Sequence, residues 1–250
     1  MRVFPNLYPA VLDPAPTPPQ AAPFETLPAS GRHEVVVHVP RHAVTFADLT
    51  ARECADVAAA WRARAAEART AGFFYVHALI NEGRAAGASR PHTHSQMVWL
   101  RELPPAVSAE TTGGSDCALC AMVSAERAAS ARVVLERRGI VALCPFASSM
   151  PFELLLAPIA CQSDAFASRD LDRALDVLAE SVRRLRTLVP GAPVNVWLHA
   201  APLQGGAAHW HLHVVPRLTV TAGLELGAGL FVNAVAPERA AAELRDGSTA

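Results

Sequence analysis

Ten histidines stand in this 250-residue chain, and five of them fall in two short patches. These are His92-Thr93-His94 and His209-Trp210-His211-Leu212-His213. On an extended segment every second side chain faces the same way. Each patch therefore presents a row of imidazoles, suited to a metal ion, a phosphate or a phosphoryl-transfer reaction. Satisfied surface histidines would account for one patch; two in matching contexts point to a site. Cys117-Ala-Leu-Cys120, and Cys161 three residues after Pro158, are possible metal ligands, because thiolates suit tetrahedral zinc. Buried free thiols are the other reading of these cysteines. Cys54 and Cys144 sit in apolar contexts and read as core. The Gly87-Ala-Ser89 stretch just before the first patch reads by itself as an ordinary turn. All 22 basic residues are Arg. Lysine Schiff-base chemistry and a lysine-dependent phosphate loop are thereby excluded.

The elements that must hold these groups are legible in outline. Seven prolines between Pro9 and Pro28 exclude regular structure there. Strand-like runs follow at 33–40, 73–80 and 92–100, with an Ala/Arg-rich helical stretch from Phe46 to about Ala71. Residues 101–116 read as a polar linker. The order then recurs: strands at 131–137, 139–144 and 151–158, a helix from Ser168 to Leu188, and strands at 194–200 and 209–216. His92 to His209 and His94 to His211 are both 117 residues apart, so the chain reads as an internal duplication. The fold class expected is α+β, in two halves, each an antiparallel sheet with a long helix. Counting 117 residues back from Cys117 puts a first-half Cys pair at or just before residue 1, so a first half shortened at its start is expected.

Half of the residues are apolar (51%) and 18% are charged, which excludes disorder throughout. The net charge of −1 argues against nucleic acid as a partner. No apolar run reaches the roughly 18 residues of a membrane span, and the start lacks the pattern of a secretory signal. A cytoplasmic protein with no membrane partner is expected.

Taken with its surroundings, His92-Thr-His94-Ser-Gln96-Met-Val resembles the nucleophile motif of the galactose-1-phosphate uridylyltransferase family. That branch of the histidine-triad superfamily also holds ADP-glucose phosphorylase-like enzymes. His209-Trp-His211-Leu-His213-Val-Val is similar to the histidine-triad pattern itself. Asn81-Glu-Gly, Phe4-Pro-Asn6, Gly31-Arg-His-Glu, Pro151-Phe-Glu and His199-Ala-Ala-Pro agree with the same family, over about residues 1 to 245. The resemblance implies histidine-triad-like halves, with the nucleophile in residues 1–110 and a zinc site in residues 111–250. It implies a nucleotidyltransferase that moves a nucleoside monophosphate between a nucleotide sugar and a sugar 1-phosphate through a nucleotidyl-histidine. Phosphorolysis or hydrolysis of the nucleotide sugar is the alternative, and a catalytically silent nucleotide- or zinc-binding module a third reading. Carried over residue by residue, His94 is the nucleophile and Gln96 a donor to a phosphoryl oxygen. Asn81, Gly87 and Ser89 become phosphate-side contacts, and Asn6 a nucleoside contact. Zinc is implied at Cys117, Cys120, Cys161 and His209. His42 and His92 are what the chain holds of a first-half zinc site, without its Cys pair. His199, His211 and His213 correspond to a further metal position, whose acidic ligand the linker would supply, with Glu102 and Glu110 nearby. A homodimer is implied by the resemblance alone.

Overall fold

The computed structural model describes residues 1–19, 22–24, 26–111 and 117–247. Nine strands among them form one antiparallel sheet: β1 (Arg2–Pro5), β2 (Gly31–Val37), β3 (Tyr75–Glu82), β4 (His94–Leu100), β5 (Val133–Arg137), β6 (Ile140–Leu143), β7 (Leu154–Pro158), β8 (Val194–His199) and β9 (His211–Pro216). Their order is β1-β2-β4-β3-β8-β9-β7-β6-β5. β3 and β8 meet at the centre, with Leu79 opposite Trp197 and Asn81 opposite Asn195. Outward from this seam, β3-β4-β2-β1 is mirrored by β8-β9-β7-β6, and β5 adds an edge. The duplication is thus expressed as two half-sheets hydrogen-bonded into one α+β structure.

Two long helices, α1 (Ala51–Thr70) and α4 (Asp170–Leu188), pack on each other and on the sheet. α1 starts at a capping box: the Thr50 hydroxyl accepts from the Glu53 amide, while the Glu53 carboxylate accepts from the Thr50 amide. It buries Cys54, Val57, Ala58, Trp61, Ala65 and Ala68, one stripe at helical spacing. α4 buries Leu171, Ala174, Leu175, Leu178, Val182 and Leu185 in the same way. Each leucine so buried stabilises the fold by about 2 kcal/mol. Trp61 Nε1 donates to Ser95 Oγ at 2.8 Å, fixing α1 over β4. One buried cluster contains residues from both halves of the chain.

The linker expectation is corrected in part. Residues 105–111 form a helix, α2 (Pro105–Thr111), and α3 (Ala118–Ala129) follows with Cys117 as its N-cap. Residues 112–116 lie outside the described residues. Pro105 at the first helical position explains the missed start, since its fixed φ suits a first turn as well as a linker. α5 (Gly223–Ala228) and α6 (Pro237–Asp246) complete the chain. Among the described residues no helix is long and apolar enough to cross a membrane.

Candidate active site

Strand alternation decides where the chemistry sits. On β4, Ser95, Met97 and Trp99 are buried, Ser95 against α1, while His94 and Gln96 face the other way. β2 lies alongside with Val37 opposite His94 and Val35 opposite Gln96. These residues line a cavity of about 890 Å³, together with Phe4, Asn6 and Tyr8 from the start of the chain and Ser89, Arg90 and His92 from the turn before β4.

The imidazole orientations follow from backbone carbonyls. His94 Nδ1 donates to the His92 carbonyl at 2.8 Å, so Nε2 carries the lone pair, with no protein partner among the described residues. His92 Nε2 donates to the Val39 carbonyl at 2.9 Å. Gln96 Oε1 lies 2.7 Å from His33 Nε2, and the Ala10 amide donates to His33 Nδ1 at 3.1 Å. Asn6 Nδ2 stands 3.1 Å from the same His33 Nε2, and Asn6 Oδ1 accepts from the Tyr8 amide at 3.0 Å. Behind this row His38 is buried, with Nδ1 3.0 Å from Thr93 Oγ1. Burial first, then the neighbouring His94 and His92, push its pKa down to about 3.

The other two residues expected at the phosphates sit apart from that cavity lining. Asn81 Oδ1 accepts from Asn195 Nδ2 at 2.8 Å across the central seam, and the same Asn195 nitrogen lies 2.8 Å from the Ala86 carbonyl. Gly87 closes the turn with φ +84°, and a Cβ there would lie 3.8 Å from Asn81 Nδ2. This left-handed conformation, with otherwise open surroundings, is why glycine stands there.

In the second half the ligand atoms of Cys117, Cys120, Cys161 and His209 lie within 4.8 Å of one another. α3 contributes the first two and the loop after β7 the third; His209 immediately precedes β9. His209 Nε2 donates to the Pro158 carbonyl at 2.7 Å, which turns the Nδ1 lone pair toward Cys120 Sγ at 3.3 Å. Fixing the far nitrogen of a ligating imidazole in this way is usual at metal sites. The soft, closed donor set fits a structural zinc ion. Cys54 and Cys144 are fully buried elsewhere, and burial pushes both thiols up to about 12.

A second cluster joins Glu110, His199, His211 and His213, again with ligand atoms within 4.8 Å. Glu110 comes from α2, the helix in the expected linker. Its Oε2 lies 2.9 Å from His199 Nδ1 and 3.5 Å from His211 Nε2; its Oε1 is 3.9 Å from His213 Nε2. Burial, with the neighbouring His211 and His199, pushes His213 down to about 3. Burial also lowers His211. One carboxylate with three imidazoles fits a divalent ion of borderline softness. The sequence singled out the histidines, but nothing in it chose Glu110 over Glu102. In the first half, the rings of His42 and His92 are 6.3 Å apart, and among the described residues no third His, Cys, Asp or Glu groups with them.

Residues 1–105 match the family described as galactose-1-phosphate uridyl transferase, N-terminal domain. An ADP-glucose phosphorylase of Arabidopsis thaliana is 32% identical over 98% of this chain and 74% of its own length. A galactose-1-phosphate uridylyltransferase of Haemophilus influenzae is 32% identical over 84% of this chain and 64% of its own. Among solved structures, a uridylyltransferase superposes with a TM-score of 0.91 at 27% identity, covering 98% of this chain and 84% of that one. The Arabidopsis thaliana ADP-glucose phosphorylase with bound ADP-glucose gives 0.82 at 30% identity, covering 98% and 81%.

Proposed function

Because this chain belongs to the galactose-1-phosphate uridylyltransferase family, we propose that it is a nucleotidyltransferase working through a nucleotidyl-His94 intermediate. The single observation that carries this reading is the orientation of His94. Its Nδ1 proton is held by the His92 carbonyl, and its Nε2 lone pair is left free at the cavity. In the first step Nε2 attacks the α-phosphorus of a nucleotide sugar. The Nε2–P bond forms, the bridging P–O bond breaks, and its electron pair leaves with the sugar 1-phosphate. The imidazolium so formed keeps its Nδ1 proton on the His92 carbonyl, which stabilises the new positive charge. In the second step an oxygen of an acceptor phosphate attacks phosphorus, and the P–N pair returns to Nε2. Gln96 donates to a non-bridging oxygen in both steps. Ser89 meets the phosphates and Asn6 the nucleoside, while Gly87 and Asn81, set back from the cavity lining, shape and brace the turn that carries Ser89.

The two halves divide the labour: residues 1–110 carry the nucleophile and residues 111–250 the Cys-x-x-Cys zinc site, while Glu110 joins three histidines of the second half in the other cluster. Zinc at Cys117, Cys120, Cys161 and His209 would supply rigidity only, since four protein ligands leave no position for substrate. An ion at Glu110, His199, His211 and His213 would hold α2 against β8 and β9. His42 and His92 would be the first-half counterparts of Cys161 and His209.

The acceptor separates the two activities within the family. A sugar 1-phosphate makes the enzyme a uridylyltransferase-type transferase in galactose metabolism, and inorganic phosphate makes it a phosphorylase. The second reading is favoured by the 32% identity to an ADP-glucose phosphorylase over nearly the whole chain. The deciding experiment offers UDP-glucose and ADP-glucose with galactose 1-phosphate, glucose 1-phosphate or phosphate, and follows nucleotide exchange. Turnover with none of them, despite bound nucleotide, would leave a silent binding module.

A further inference from the structure

We infer that His33 is a positioning residue which sets the direction of the Gln96 amide, and that the loop at residues 6–12 sets the tautomer of His33. This rests on the reading of His94 and Gln96 proposed above and goes one residue further back. A backbone N–H can only donate, so the Ala10 amide, 3.1 Å away, makes His33 Nδ1 an acceptor. The single ring proton of neutral His33 is therefore on Nε2. That nitrogen is 2.7 Å from Gln96 Oε1, which accepts the proton. Asn6 cannot take it instead. Its Oδ1 is committed to the Tyr8 amide at 3.0 Å, and the group it presents to His33 is its nitrogen, at 3.1 Å.

The consequence falls on Gln96. With its oxygen turned to His33, its NH₂ is the group left to face the cavity, where a phosphoryl oxygen needs a donor. Reversed, the amide would aim lone pairs at an anion. The chain that fixes the tautomer is the same chain that walls the cavity, through Asn6, Leu7 and Tyr8. It is stitched to β2 at His33 and again at Gly31. The Asn6 amide donates to the His33 carbonyl at 2.8 Å, and the Gly31 amide to the Leu12 carbonyl at 2.9 Å. At Gly31 the packing is so close that a Cβ would stand 2.8 Å from Val11 Cγ2 and 2.2 Å from the Trp99 carbonyl oxygen. Seating of the loop and orientation of the donor are thus one event. If the loop lifts, the Ala10 donor is lost and His33 is free to take either tautomer.

The test compares His33→Ala, His33→Gln and Gln96→Ala with the wild type in nucleotide exchange. The Ala variant is expected to lower kcat at least about tenfold, with KM for the nucleotide sugar held within about threefold. Gln, whose terminal NH₂ can replace Nε2–H, should restore most of that loss. His33→Ala should add little on top of Gln96→Ala, because both remove one interaction. Equal losses in the Ala and Gln variants, or losses that multiply with Gln96→Ala, would overturn the assignment. A second readout needs no turnover: nitrogen NMR of the ligand-free protein should find the His33 proton on Nε2, and Ala10→Pro should mix the tautomers. A proton on Nδ1, or no change in Ala10→Pro, would refute the network. A wild type inactive on every nucleotide sugar but with the Nε2–H signal intact would instead count against the proposed reaction.

Discussion

His94 and His211 make the same hydrogen bond, Nδ1 to the carbonyl two residues back, at 2.8 and 2.9 Å. Their other nitrogens part company. Among the described residues His94 Nε2 meets no protein group, and His94 belongs to the cavity wall, whereas His211 Nε2 lies 3.0 Å from His213 Nε2 and 3.5 Å from Glu110. Two copies of one local structure thus carry a free lone pair in one half and a lone pair already committed in the other.

From this, His94→Ala should lower nucleotide exchange by at least about 10³-fold. His211→Ala should act on metal content and stability first. Incubation with a nucleotide sugar labelled in the α-phosphate, then peptide mapping in alkali, should find a base-stable, acid-labile label on the peptide holding His94. Label on the His211 peptide alone would reverse the roles.

The two metal clusters should fail separately. Cys120→Ser and Cys161→Ser are expected to lose zinc and lower Tm by at least about 4 °C, because the ion's binding free energy is folding free energy. Glu110→Ala should leave that zinc in place and remove the ion held with His199, His211 and His213. Elemental analysis of each variant decides it; full metal content in both cysteine variants would rule out the Cys₃His site.

Acid should destabilise the fold through histidines held neutral. His38 has a pKa of about 3 in the folded chain against 6.5 when unfolded, so the unfolded state binds the extra proton. Its contribution is intact above pH 6.5 and falls by up to about 1.4 kcal/mol per pH unit between 6.5 and 3. His77, lowered to about 4 chiefly by burial, acts with the same sign. Urea midpoints measured from pH 7 to 4.5 with chelator present should drop, and His38→Asn should flatten the curve. An unchanged slope in that variant would remove His38 from the account.

The turn before β4 separates backbone from chemistry. Gly87→Ala should cost about 1 kcal/mol of stability, since φ +84° is unfavourable to a side chain although the space is open. Ser89→Ala, at the cavity edge, should leave the urea midpoint unchanged and slow exchange. A stability loss in Ser89→Ala comparable to that in Gly87→Ala would make both residues scaffold.

Much of this was fixed by local pattern. The 117-residue repeat, the alternation around His94 and His211, and the helical stripes of α1 and α4 each follow from side-chain periodicity, which local backbone geometry imposes. The Cys-x-x-Cys at 117–120 carried its own signal because its two thiols are one helical turn apart. Three features had no such signal. That the halves share one sheet depends on β3 pairing with β8 across more than 100 residues, a choice made by hydrogen bonds between strand edges. Glu110 meets its histidines only because α2 is folded back over β8 and β9. His33 reads as one more polar residue on a strand, until β2 lies beside β4 and the Ala10 amide fixes its proton. Periodicity tells which face a residue is on; which groups share that face across the sheet is decided by strand order, and strand order is a property of the whole chain.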